Sequence, residues 1–186
     1  MSSNSTASSC WQRWNRQQVN PVIFEISPSG QPRFSRIHPL LAELLRATTL
    51  DPWEHFPEGC ARLLPPPGTD EELCADWQDH VQPELRLHFD SERAVVEADL
   101  ALMKKGRGKN AFFSLEIPLD HADAWLTTLN VLRLALVGDH GLTEEDLSRN
   151  VEPDLSSPRG LALMQVNLYA FMQECLIRAV GFPDGE

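Results

Sequence analysis

The chain has 186 residues and a formal net charge of -11, with 42% hydrophobic and 23% charged residues. That composition excludes wholesale disorder and provides enough apolar residues for one real core. The acidic balance argues against non-specific contact with nucleic acid or an anionic membrane. No run approaches roughly 18 consecutive apolar residues, so no membrane span is expected.

Residues 1–20 are rich in Ser, Asn, Gln and Thr, and a flexible arm is expected there. The start lacks the basic and apolar blocks of a secretory signal, which implies a cytoplasmic protein with reduced cysteines. Within the arm, Trp11 and Trp14 lie beside Arg13 and Arg16. Two readings compete: a docking anchor for a partner, or two rings folded back as the core's N-terminal edge.

Val22 to Ile26 alternates and is β-branched, then meets Ser-Pro-Ser-Gly, which predicts a strand and a turn. Gln31 to Arg36 can return as a second strand, with Pro32 confining it to an edge. A helix is predicted from His38 to Thr48, with Pro39 in its first turn. Leu50 to Gly68 is Pro-rich and predicts an irregular loop, with one helical turn near Ala61 to Leu64. Thr69 opens the next helix with Glu72 in the capping-box position, and that helix is expected to stop before Pro83. Pro83 then starts a helix whose face is Leu85, Phe89, Val96, Leu100 and Met103, ending at Gly106.

Ala111 to Leu119 alternates and predicts a strand, paired with the first because isolated strands are unstable. Asp120 is expected to cap a long helix to about Val137, with Trp125, Leu129, Leu132 and Leu136 on its stripe. Thr143 starts a short helix. Ser157 to Val180 is the last helix, with Met164, Leu168, Phe171, Met172 and Cys175 on one side. The fold class expected is mainly α: a single-domain helical bundle over residues 21–182 with a small two-stranded antiparallel sheet, then a short tail, 183–186.

Four constellations could carry chemistry. Cys60 in the loop and Cys74 near a helix start could form a reversible disulfide if the intervening prolines fold back. The helix dipole would favour the Cys74 thiolate. The bland alternative is two small buried side chains. Lys104, Lys105, Arg107 and Lys109 form a basic glycine-rich loop, either an anion contact or a solvated hairpin-like connection. Arg133 on the core side of its helix needs a partner, and Glu174 on the facing helix is the candidate for a structural ion pair. Asp76, His80, Glu84 and His88 recur at four-residue steps, but a break at Pro83 would destroy the shared face a metal needs. No metal and no cofactor is expected, and no nucleophile motif is present.

The segments Ala124-Trp125-Leu126, Leu129-Asn130-Val131-Leu132-Arg133-Leu134 and Gly141-Leu142-Thr143-Glu144 resemble a bacterial family called domain of unknown function two-zero-one-seven. So do Ala61-Arg62-Leu63-Leu64-Pro65 and Met172-Gln173-Glu174-Cys175-Leu176. The resemblance covers about residues 21–180 and implies a small soluble protein of regulatory character, redox-linked in some members. It supplies no catalytic residues. The expectation is a non-enzymatic regulatory or interaction protein with a protein partner, as monomer or homodimer. Two alternatives stand beside it: a metal-dependent or small-molecule enzyme using the His80 and His88 region, and a regulator contacting nucleic acid through the arm and the basic loop.

Overall fold

The computed structural model describes residues 22–108, 111–148 and 153–181. Expectations for the N-terminal arm with Trp11 and Trp14, for Lys109 and for the tail fall outside these residues.

Strand β1 (Ile23–Ile26) and strand β2 (Pro32–Ile37) form a hairpin in which Phe24 lies opposite Phe34. Gly30 sits at φ 81° in the turn, a conformation that excludes most side chains. Helix α1 (Pro39–Arg46) follows, capped by His38, whose Nδ1 accepts from the Leu40 N–H. Two one-turn helices, α2 (Pro52–His55) and α3 (Pro57–Cys60), shape the proline-rich stretch. Each starts on proline, where the missing N–H costs nothing.

Helix α4 (Glu71–Asp76) is capped by Asp70 rather than Thr69: its carboxylate accepts from the Leu73 N–H at 3.0 Å. The expected break at Pro83 does not occur. A π-helical turn, Trp77–Val81, joins α4 directly to helix α5 (Gln82–Ala101). The Gln82 N–H donates to Trp77 O, five residues back. The wider turn admits Pro83 without breaking the rod, because Pro83 falls in the first turn of α5, where its absent N–H has no obligatory partner.

Strand β3 (Lys104–Lys105) and strand β4 (Phe113–Glu116) make a second hairpin, closed by the Gly106 N–H on Phe112 O at 2.9 Å. Lys104 and Lys105 of the basic segment are thus strand residues, and residues 106–108 lead on from them. The sheet has four antiparallel strands in the order β1-β2-β4-β3, not two. β2 is an interior strand, contrary to the edge position that Pro32 suggested. Pro32 is tolerated because it is the first residue of its strand and still uses its carbonyl, which accepts from the Ile117 N–H at 2.9 Å. A bulge between Phe34 and Ile37 places Arg36 at φ 56°.

A short 3₁₀ turn, Leu119–His121, leads into helix α6 (Ala122–Asp139), so Asp120 lies in that turn and His121 occupies the cap position. Helix α7 (Glu144–Ser148) opens on a reciprocal box: Asp146 accepts from the Thr143 N–H, and Thr143 Oγ1 accepts from the Asp146 N–H. Helix α8 (Pro158–Gly181) ends the described chain.

The two long helices meet as the apolar spacing predicts, and α6 is the element at the centre. It packs against α8, α5 and α3. Trp125, Leu129, Leu132 and Leu136 of α6 and Met164, Leu168, Met172 and Leu176 of α8 are buried, together with Phe34, Ile37, Phe113 and Leu115 from the sheet's inner face. Polar staples fix α8 in place. Tyr169 Oη donates to Leu44 O at 3.0 Å, and Gln173 Nε2 donates to Leu126 O at 3.0 Å. The fold is mainly helical with a small antiparallel sheet. Among the described residues, no helix is long and apolar enough to cross a membrane.

Candidate functional site

Cys60 is buried in α3, and its thiol donates to Pro52 O at 3.2 Å. Burial, then the Asp51 carboxylate, pushes it up to about 11. Cys74 is half-buried in α4 and donates to Gly68 O at 3.3 Å. The two thiols therefore have separate backbone partners, and Cys60 is held protonated, the reverse of an activated thiol. Cys175 is buried in α8 and is pushed up to about 12, mainly by desolvation, and burial raises the Tyr169 hydroxyl higher still.

A group that holds its proton more tightly when folded stabilises the fold fully below its unfolded pKa and loses that contribution as pH rises through the folded one. With an ordinary thiol value near 9, stability is expected to fall steadily between about pH 9 and 12. Denaturant midpoints measured across that range check this. In native protein, Cys74 is expected to alkylate well before Cys60 and Cys175, which peptide mapping would resolve.

The four-residue steps of Asp76, His80, Glu84 and His88 are not gathered into one cluster. The extra residue of the π turn rotates the four-residue steps out of line. His80 is exposed, and His88 Nδ1 lies 3.6 Å from Glu92 Oε1 on its own helix. Among the described residues, no group of three or more His, Cys, Asp or Glu could hold a metal ion.

Arg133 is half-buried, and desolvation lowers its pKa. Its Nη1 donates to Gln173 Oε1 at 2.5 Å, while Glu174 pairs with Arg178 along α8. The expected ion pair is replaced by an Arg–Gln contact one residue away. One residue is about 100° of helix rotation, enough to move a side chain from facing a neighbour to flanking it.

A buried polar cluster escaped the sequence reading. Asp99 of α5 is only 3% exposed. Its Oδ2 accepts from Trp125 Nε1 at 2.8 Å, and the carboxylate meets His121 Nδ1 at 3.0 Å. A carboxylate that holds Nδ1 orients an imidazole for proton transfer through its other nitrogen. Here the third partner is an indole, which donates only and cannot act as a nucleophile. The arrangement is a clamp between α5 and α6. The signal was legible: Asp99 sits at core spacing between Val96, Leu100 and Met103, where a lone acid needs donors.

The outer face of the sheet carries a groove of about 430 Å³. Arg33 of β2, Ser114 and Glu116 of β4 and Lys104 of β3 supply its polar side, and Leu102 and Pro118 its apolar side. Glu116 Oε1 accepts from Ser29 Oγ at 2.8 Å and Ser27 Oγ at 2.9 Å. Those hydroxyls, with weaker help from Arg33 and Lys104, lower the carboxyl's pKa. Of the basic loop, Lys104 reaches this groove, Lys105 lies over the Phe113 ring at 5.7 Å, and Arg107 is exposed. Consecutive residues of a strand point to opposite faces, so Lys104 and Lys105 are not gathered on one side.

One large exposed surface remains. From Pro65 to Val95 no residue is fully buried. The base of the rod is fixed by Trp53, which stacks on Phe89 at 6.2 Å and takes Arg86 over its ring at 4.8 Å. Further out, no residue of α4 or the π turn is fully buried and Leu73 of α4 is 51% exposed, while Leu87, on α5 beside the anchored base, is 71% exposed. Residues 70–84 contain six carboxylates and no lysine or arginine.

No curated protein and no solved structure matches this chain. One family model, described as "Domain of unknown function (DUF2017)", matches residues 31–180, which include the sheet from β2 onward, the rod, the clamp and both long helices. The chain belongs to that family.

Proposed function

We propose that this protein is a non-enzymatic, cytoplasmic interaction protein of regulatory character, in which the helices around α6 form a single bundle and the rod from α4 into α5 receives the partner. The observation that carries the reading is the rod itself. It exposes leucines in an acidic setting and is anchored at its base. Exposed apolar side chains rimmed by like charge mark a contact surface. The matching partner is a basic amphipathic segment, whose apolar face covers Leu73 and Leu87 and whose cations meet the carboxylates. Cys74 lies on this rod, so a thiol-sensitive version acts through Cys74 at the contact rather than through Cys60.

The test is fluorescence anisotropy of a labelled helical peptide with leucines on one face and lysines on the other. Binding is expected at low salt and weakens several-fold at physiological salt, as exposed charges are screened. Leu73→Gln with Leu87→Gln abolishes it while the melting temperature stays put, because both side chains are largely exposed. Equal binding by the double variant overturns the proposal.

A further inference from the structure

The groove on the sheet's outer face is independent of the rod and has its own electrostatic logic. In the order β2-β4-β3, Arg33 and Lys104 flank β4 on either side, at strand spacings of about 4.8 Å. Arg33 is in register with Glu116, and Lys104 with Ser114. Glu116 is pinned by the two serines of the β1–β2 turn, both on Oε1, which leaves Oε2 for a ligand. Arg33 also has Glu25 at 3.7 Å, so neither sign of charge dominates. A simple anion drawn to Arg33 and Lys104 meets Glu116, and the acidic protein as a whole repels it. A simple cation drawn to Glu116 meets the two basic side chains. A molecule carrying both charges a few ångströms apart satisfies all three. Beside them stand Leu102, 71% exposed, and Pro118, which form an apolar wall. A volume of about 430 Å³ is within the range of small-molecule sites.

We propose that this groove binds a small zwitterion of the α-amino-acid class, with its ammonium on Glu116, its carboxylate between Lys104 and Arg33, and an apolar side chain against Leu102 and Pro118.

The experiment is a titration of the ¹⁵N-labelled full chain, followed by amide chemical shifts, with three probes: L-leucine, L-leucinamide and N-acetyl-L-leucine. The second lacks the anion and the third lacks the cation. Leucine is expected to shift the amides of Arg33, Lys104, Ser114 and Glu116 saturably, and each derivative to bind about tenfold or more weaker, the loss of one charged hydrogen-bonding partner. Glu116→Gln and, separately, Lys104→Met are expected to weaken leucine by a similar factor while the rest of the spectrum stays in place. Lys104 lies exposed on an edge strand, so its variant carries the test if Glu116→Gln disturbs the turn. No saturable shift with leucine, equal response to all three probes, or undiminished leucine binding by the Lys104→Met variant overturns the proposal.

Discussion

Gly59→Ala is expected to abolish folding or to cost about 4 kcal/mol or more, among the largest effects a single methyl can have. A Cβ at Gly59 would lie 1.9 Å from Ala135 O and 2.6 Å from the Ala135 carbonyl carbon. These are backbone atoms in the last turns of α6, and they cannot step aside without moving the helix at the centre of the fold. The contact is reciprocal, since a Cβ at Gly138 would meet Gly59 Cα at 2.6 Å. α3 and α6 touch backbone to backbone, and neither partner has room for a methyl. Gly138→Ala is therefore expected to be comparably severe. Gly68→Ala is the control: nothing lies within 4 Å of its Cβ, and its effect is expected to stay within about 0.5 kcal/mol. Urea denaturation followed by circular dichroism separates the three. A Gly59→Ala protein that unfolds at the wild-type midpoint would show that α3 does not press on α6.

Asp99→Ala is expected to cost about 3 kcal/mol, because it strands the Trp125 indole N–H inside the core and removes the only buried carboxylate joining α5 to α6 among the described residues. Asp99→Asn keeps a carbonyl oxygen for one donor, so its cost is expected to be smaller. His121→Ala is expected to be milder still, since that side chain is 36% exposed and its loss leaves Asp99 bonded to Trp125. The indole N–H resonance of Trp125 gives a local check, and it should move in the Asp99 variants and hold in His121→Ala. Equal midpoints for Asp99→Ala and wild type would mean the cluster adds nothing to stability.

The sequence carried the helical core well. α6 and α8 were readable because their apolar residues recur at one period over several turns, and Trp125 and Tyr169 end fully buried. The sheet was half legible. Two strand segments alternate clearly and a third could be placed beside them, but strand order depends on contacts between residues far apart in the chain, and Pro32 pointed to an edge its strand does not occupy. The rod was misread for a local reason. Proline forbids its own hydrogen bond but does not forbid a helix that has none to give at that position. The Arg133 partner was missed by a single residue, which is the resolution limit of a period-based argument. The groove could not be read at all, because Arg33, Lys104 and Glu116 come together only through the pairing of three strands.

The wide turn at Trp77–Val81 separates the anchored part of the rod from an outer segment, Glu71–Asp76, in which no residue is fully buried. Losing one residue there would turn the outer segment by about 100° about the axis and leave every buried side chain where it was. Leu73 would then point elsewhere relative to Leu87 at no expense to the interior. Lineages carrying this architecture can thus re-aim what they display to others through a single codon gained or lost, while the scaffold beneath is inherited unchanged.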